Sequence, residues 1–211
     1  MLDEWFDKIV TKQCEGYAGL VRYADDSVAC FEKKEEAEKY LRSVKTRLKE
    51  FGLEVAEEKT KIIEFGRYAQ RNRKNRKEGH AETFEFLGFT HYCSTGKKKE
   101  FRAKRKTSKK KMKAKIQEMK TWLRKRMHST VSETIKLLNI KLIGHYRYYG
   151  ITDNTEGMRS FYQIVYNMLY KILNRRTQKN KYNKTKFYEK IGKQIARPKI
   201  YYDIVKMSLS M

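Results

Sequence analysis

Cysteine and proline are scarce in this 211-residue sequence, with three of one and one of the other. Cys14, Cys30 and Cys93 are odd in number and widely spaced, with no paired ligand spacing. That excludes a disulfide framework and a zinc site and leaves buried free thiols. The lone proline, Pro198, follows the last helical run and marks an extended tail. The four histidines, His80, His91, His128 and His145, are scattered, and none falls at metal-ligand spacing. No stretch approaches the roughly 20 apolar residues of a membrane span. The N-terminus, MLDEWFDKIV, is acidic where a signal peptide is basic. Both point to a cytoplasmic chain with no membrane partner. Acidic residues are outnumbered, 25 against 50 Lys and Arg, which gives a formal charge of +25. Such a surplus calls for a polyanionic partner. Aromatics at 13%, with 15 tyrosines, argue for a folded chain even though 36% of residues are charged. The length suits one or two domains.

The charge is unevenly laid out. Residues 1–66 carry 12 basic and 15 acidic side chains, residues 67–126 carry 22 and 5, and residues 127–211 carry 16 and 5. A near-neutral front half therefore precedes a strongly basic one, an arrangement that suggests chemistry in front and grip behind. In the front half, AGLVRYA and SVACF are β-prone runs flanking Asp25 and Asp26, the pattern of a hairpin with the acids at its tip. From Glu35 to Phe51 the apolar residues follow helical spacing, and Gly52 is placed to end the helix. KTKIIEFG and FEFLGFTHYC read as further strands, and the charged stretch from Arg67 to Thr83 reads as an exposed loop between them. In the back half, three helical stripes stand out: Met112 to Leu123, Val131 to Tyr146, and Met158 to Leu173, the last with Thr155 as its expected N-cap. The fold class is α+β, with domains at 1–96 and 97–211 and the second an all-α three-helix bundle. There is no internal repeat.

Two neighbouring acids in an apolar stretch, GLVRYADDSVACF, admit two readings. One is a plain Asp turn, since Asp tolerates turn geometry and bonds its own backbone. The other is a metal site. Read onward, FGLEVAEEKTKIIEFG, FEFLGF and LNIKLIGHYRYYGITDN follow YADD in a fixed order. Together these motifs resemble the reverse transcriptase of a bacterial group II intron, or maturase, over nearly the whole chain. The resemblance implies a partial polymerase palm followed by thumb and maturase regions. It implies group II intron RNA, RNA template and DNA primer as partners, and Mg²⁺ as cofactor in a two-metal site. Nucleotidyl transfer by two Mg²⁺ ions needs hard oxygen ligands on a rigid element, which a hairpin tip supplies.

On that resemblance Asp25 is a direct metal ligand with Asp26 beside it, and Tyr23 and Ala24 lie near the primer end. Lys59, in EEKTK, lies near the incoming triphosphate as a phosphate contact or proton donor, against the alternative of a solvated surface lysine. FEFLGF resembles the strand pair holding the primer end, where Gly88 lets a nucleic-acid backbone approach; its phenylalanines and leucine also suit a core. KKKEFRAKRKTSKKKMKAK, with Lys104, Arg105, Lys109, Lys110 and Lys111, lines a nucleic-acid channel. NRRTQKNKYNKTKFY offers Arg175, Arg176, Lys179, Lys181 and Lys184 with Tyr182 and Tyr188 for RNA backbone contact and base stacking. In GHYRYYG, Tyr146 and Tyr149 suit the core and Arg147 suits RNA contact.

A polymerase of this kind also needs an earlier palm aspartate, together with fingers, and this sequence starts at LDEWFDKIV, which resembles the segment just before the hairpin. The expectation is a truncated or split enzyme, its metal site incomplete and inactive alone, complemented by a separate N-terminal reverse transcriptase fragment. Two alternatives stay open: a non-catalytic maturase-type RNA-binding protein, and a general basic nucleic-acid-binding protein.

Overall fold

A computed structural model describes residues 2–96, 99–176 and 182–204. Lys179 and Lys181 lie outside the described residues. The chain forms two compact units, Met1–Phe86 with Tyr92–Ala103, and Leu87–His91 with Lys104–Met211.

In the first unit, α1 (Leu2–Trp5) runs into a π-helical turn, Phe6–Val10, and leads to a hairpin of β1 (Ala18–Tyr23) and β2 (Asp26–Phe31). The strands pair antiparallel from Ala18↔Phe31 to Tyr23↔Asp26. Alternation along β2 sends Phe31 to the core face, where it meets Phe6 at 6.0 Å and Tyr40 at 5.2 Å between ring centroids. Burial there pushes the Tyr40 phenol up to about 12. Tyr40 belongs to α2 (Lys34–Lys49), the helix expected from periodicity. Gly52, at φ +69°, closes it by donating to the Lys49 carbonyl while Leu53 N–H reaches back to Leu48.

Two expectations for this unit need correction. KTKIIEFG is not a strand, because its backbone is held by side chains and not by a ladder: Glu64 N–H donates to Glu82 and Gly66 N–H to Cys93 Sγ, at 3.2 and 3.4 Å. The charged stretch after it is not all loop but contains α3 (Ala69–Asn75). Arg73 and Arg76, in and just after this helix, pair with Glu64, Glu78 and Glu82, so ion pairs do what an apolar stripe does elsewhere.

β3 (Thr83–Phe86), β4 (Phe89–Thr95) and β5 (Phe101–Thr107) form a three-stranded sheet in that order. β5 was not expected; its basic composition hid it. FEFLGFTHYC forms a pair of strands, as the FEFLGF resemblance implies, joined by a two-residue turn in which Leu87 and Gly88 take φ +49° and +77°, the left-handed pair of a tight hairpin.

The second unit is a helical bundle of α4 (Lys109–Lys125), α5 (Val131–Tyr149) and α6 (Thr155–Arg175), as the three stripes predict. Met119, Leu123, Leu138, Leu142, Phe161 and Val165 are all buried, and each such side chain contributes about 1.5–3 kcal/mol. A fourth helix, α7 (Lys184–Lys190), adds Phe187 to the same core, followed by Ile191 and Ile195. The bundle is thus larger than three stripes. Thr155 is the first helical residue and not the N-cap. Asn154 holds the cap position, and its side chain is used elsewhere: Nδ2 donates to Thr107 Oγ1 and the Tyr149 carbonyl, and Oδ1 accepts from Thr107 N–H.

After Ile195 the chain runs extended through Pro198, as expected. Ala196 N–H bonds Asn139 at one end, and Tyr201 and Tyr202 N–H bond the Gly150 carbonyl at the other. A side chain at Gly150 would run into the Tyr146 carbonyl and stand 2.7 Å from that of Lys199, so only glycine admits the strap.

Candidate functional site

Asp25 and Asp26 are exposed at the tip of the β1–β2 hairpin. Ala24 takes φ +53°, the sign a two-residue hairpin loop requires at its first central position and one that costs a non-glycine residue about 1–2 kcal/mol. The turn is clamped from behind. Arg22 donates from Nη1 to the Ala24 carbonyl at 3.0 Å, and from Nε and Nη2 to both oxygens of Asp3 on α1 at 2.7 and 2.5 Å. This fork holds the Asp3 carboxyl below its ordinary range. At the other end of the hairpin, Glu36 accepts from Glu15 and Gly16 N–H, and Glu32 from Tyr17 N–H. Sequence reasoning passed over Asp3, Arg22 and Glu36. A strand arginine directly before the YADD tip was the one available signal.

Asp25 and Asp26 themselves have no ion-pair or hydrogen-bond partner for their carboxylates among the described residues. In a chain of charge +25 this matters, because cations are plentiful and none neutralises the pair. Two unpaired carboxylates, hard oxygen donors on a clamped turn, fit a divalent cation. Among the described residues no third acid, histidine or cysteine joins them in a metal-binding group. Tyr23 beside them is 66% exposed and Lys59, in a turn of the same unit, is exposed.

In the second unit the turn Leu87–Gly88 is locked by two helices. Gly88 carbonyl accepts from Ser108 N–H at 2.9 Å, and Leu87 carbonyl from Tyr148 hydroxyl at 3.0 Å. Phe89 stacks on Tyr148 and meets Tyr149 edge-on, with centroids 6.1 and 5.2 Å apart. A Cβ on Gly88 would lie 3.1 Å from the Tyr149 hydroxyl and 3.7 Å from Lys111 Cγ. The fold thereby brings Gly88, Lys111 and the segment bearing Arg147 into one neighbourhood. Tyr146 is buried and Tyr149 half-buried, while Arg147 is exposed.

Ser108 caps α4, accepting from Lys111 N–H, and the first turn it opens is Lys109, Lys110 and Lys111, all exposed and with no acid among them. Three cations at the positive end of a helix dipole oppose stability, a cost that an anion bound there would offset. Lys104 and Arg105 on β5 are half-buried, and Arg175 is exposed at the end of α6. Arg176 donates to the Ser129 carbonyl, so one of its donors is structural. His145 was assigned no chemistry; it is buried against Phe161 and Tyr149, its Nε2 has no partner, and burial pushes its imidazole down to about 4.

Residues 2–91 match the reverse transcriptase (RNA-dependent DNA polymerase) family, and residues 109–192 match the group II intron, maturase-specific domain. No curated protein matches the chain. The two matches cover most of the sequence and fall in the order polymerase, then maturase, with the aspartate tip in the first and the lysine-headed helix in the second. No described helix is long and apolar enough to cross a membrane. Reverse transcriptases are in general Mg²⁺-dependent, and the partner of both domains is nucleic acid. The chain belongs to the group II intron reverse transcriptase/maturase family.

Proposed function

We propose that this chain contributes Asp25 and Asp26 to the polymerase metal site and binds group II intron RNA through the basic surface of its second unit. The observation that carries the first part is the unpaired carboxylate pair on a turn held by Arg22 and Asp3. Asp25 and Asp26 would hold Mg²⁺ there, and the ion would supply Lewis-acid activation of the primer 3′ hydroxyl and neutralise charge on the leaving phosphate. Asp25 is the direct ligand and Asp26 its neighbour. Arg22 acts through the Ala24 carbonyl and is a positioning residue. Tyr23 and Ala24 face the primer end, and Lys59 serves the incoming triphosphate.

Two carboxylates are few for Mg²⁺, which keeps its water shell unless protein geometry displaces it. Tight binding and primer extension therefore draw on oxygen ligands beyond these two carboxylates. RNA binding does not. Lys104, Arg105, Lys109, Lys110, Lys111, Arg147 and Arg175 contact phosphates, Arg176 joins them with its remaining donors, and Gly88 keeps their neighbourhood compact. The charge of these segments equally supports a maturase role, splicing assistance without synthesis.

The test is primer extension on an RNA template with Mg²⁺ and deoxynucleotides, with the 211-residue chain alone and with a complementing palm–fingers fragment. Synthesis is expected only with the fragment, and Asp25→Ala abolishes it while intron RNA binding stays within twofold. Extension that survives Asp25→Ala would refute the metal assignment. No extension under any complementation, with intact RNA binding, would leave the maturase role alone.

A further inference from the structure

A cavity of about 700 Å³ opens on the second unit between α6, α7 and the extended strap around Pro198. Its walls include the rings of Tyr162, Tyr166 and Tyr188, the guanidinium groups of Arg159 and Arg197, and the Pro198 ring. None of the described lining residues is acidic. Among the described residues neither arginine makes an ion pair. Arg197 Nη2 donates to the Tyr188 hydroxyl at 3.1 Å, and Lys193 Nζ lies 5.7 Å from the Tyr188 ring centre. Tyr162 and Tyr166, one turn apart, have centroids 5.8 Å from each other, and Tyr166 is wedged edge-on against buried Phe187 at 5.1 Å. The strap that closes the cavity is pinned at Ala196 and at Gly150, so the walls are preformed.

We propose that this cavity binds one unpaired nucleotide of RNA, with its base stacked on the tyrosine faces and its phosphate between Arg159 and Arg197. Unstacked bases are read by RNA-binding proteins on aromatic faces and guanidinium planes, which is the composition found here. The volume lies in the range of small-ligand pockets. Two guanidinium groups with no ion-pair partner among the described residues, one of them bonded to the Tyr188 hydroxyl, favour a phosphate, and three aromatic rings favour a base over a peptide side chain. A duplex end has no splayed base to insert. The site therefore selects single-stranded over double-stranded RNA, whereas the lysine turn of α4 binds phosphates of either. This inference rests on the proposed RNA-binding role and deepens it.

The experiment is fluorescence anisotropy with the full 211-residue chain, a labelled short single-stranded RNA and a blunt RNA duplex of the same sequence. Tyr188→Ala removes a stacking face without changing charge, and Tyr188 is 42% exposed, so the bundle tolerates it. It should weaken single-strand binding about 5- to 100-fold, the loss that goes with one stacked base, and leave duplex binding within twofold. Arg159→Gln with Arg197→Gln should lower the single-strand salt slope by roughly 0.7, the worth of the one phosphate they share. Photocrosslinking of 5-iodouridine RNA should label residues 155–166 or Tyr188. Equal single-strand affinity in parent and Tyr188→Ala, or crosslinks confined to residues 104–126, would overturn the pocket while duplex binding left the broader RNA role standing. A parent chain that binds neither RNA would refute that broader role and the pocket with it. Adenosine monophosphate that fully displaces the Tyr188-dependent part at low millimolar concentration would assign the cavity to a free nucleotide and overturn the RNA assignment.

Discussion

Replacing Asn154 by alanine should destabilise the second unit by about 3–4 kcal/mol. Asn154 is 1% exposed and makes three hydrogen bonds: from its Nδ2 to Thr107 Oγ1 at 2.7 Å and to the Tyr149 carbonyl at 2.9 Å, and to its Oδ1 from Thr107 N–H at 2.9 Å. Truncation strands Thr107 N–H away from water, at about 1–3 kcal/mol, and costs the Tyr149 carbonyl one of its two bonds, that from Ile151 N–H remaining, at about 0.5–1.5 kcal/mol. The Thr107 hydroxyl can rotate and loses less. The small void left by the amide adds a fraction of a kcal/mol. For a unit of this size each kcal/mol lowers Tm by about 4 °C, so a drop of roughly 12–16 °C is expected. The two tryptophans supply separate reporters, Trp5 in the first unit and Trp122 in the second. A melt followed by Trp122 fluorescence in a Trp5→Phe background reads the second unit alone. Hydrogen exchange should show the Thr107 amide losing protection before its neighbours. A Trp122 transition within 2 °C of the parent would refute the argument that Asn154 joins β5 to the α5–α6 corner.

His145 gives the bundle a pH dependence. Its folded pKa, about 4, lies below the ordinary 6.5, so stability is complete above pH 6.5 and falls as pH drops from there towards 4, by up to about 3 kcal/mol. Chemical denaturation at several pH values checks this, and His145→Gln should flatten that slope. Gly150→Ala should release the Ala196–Tyr202 strap, read as faster hydrogen exchange at the Tyr201 and Tyr202 amides, because the clash is with backbone carbonyls that cannot swing aside. Leu169→Asp places an unpaired charge in the core at a cost of several kcal/mol, and an unchanged Trp122 melt would contradict its burial. Arg22→Lys keeps the charge but loses the fork to Asp3 and Ala24. In the complemented enzyme it should lower kcat at unchanged RNA affinity, measured by steady-state extension.

The parts of this fold legible in sequence are those where one period dominates. The stripes of α4, α5 and α6 repeat every three or four residues and bury what they predict, and YADD between two β-prone runs announces its hairpin. α3 was hidden because its stability comes from Arg73 and Arg76 pairing with acids up to 12 residues away, a pattern without period. KTKIIEFG has strand composition, but its N–H groups found side-chain acceptors first. Phe187 stands beside Tyr188 in a lysine-rich run too short for a helical stripe, and only the groove on α6 makes it core. Asn154 has the residue type of a cap, yet tertiary bonds to Thr107 and Tyr149 claim its amide. At the candidate site, the aspartates were readable as a motif. The Asp3–Arg22 clamp was not, since it joins residues 19 apart whose pairing depends on how α1 meets β1.

The central claim, that the second unit grips intron RNA through the lysine turn of α4 independently of the aspartate tip, is tested most directly by the salt dependence of binding. Filter binding of a group II intron RNA across a salt series should give a steep log–log slope for the 211-residue chain. Asp25→Ala should leave the slope unchanged. Joint replacement of Lys109, Lys110 and Lys111 by Gln should reduce it by roughly 2 to 3, at 0.7–0.9 per phosphate contact. A slope unaltered by the three lysine replacements, or affinity independent of salt, would contradict the account.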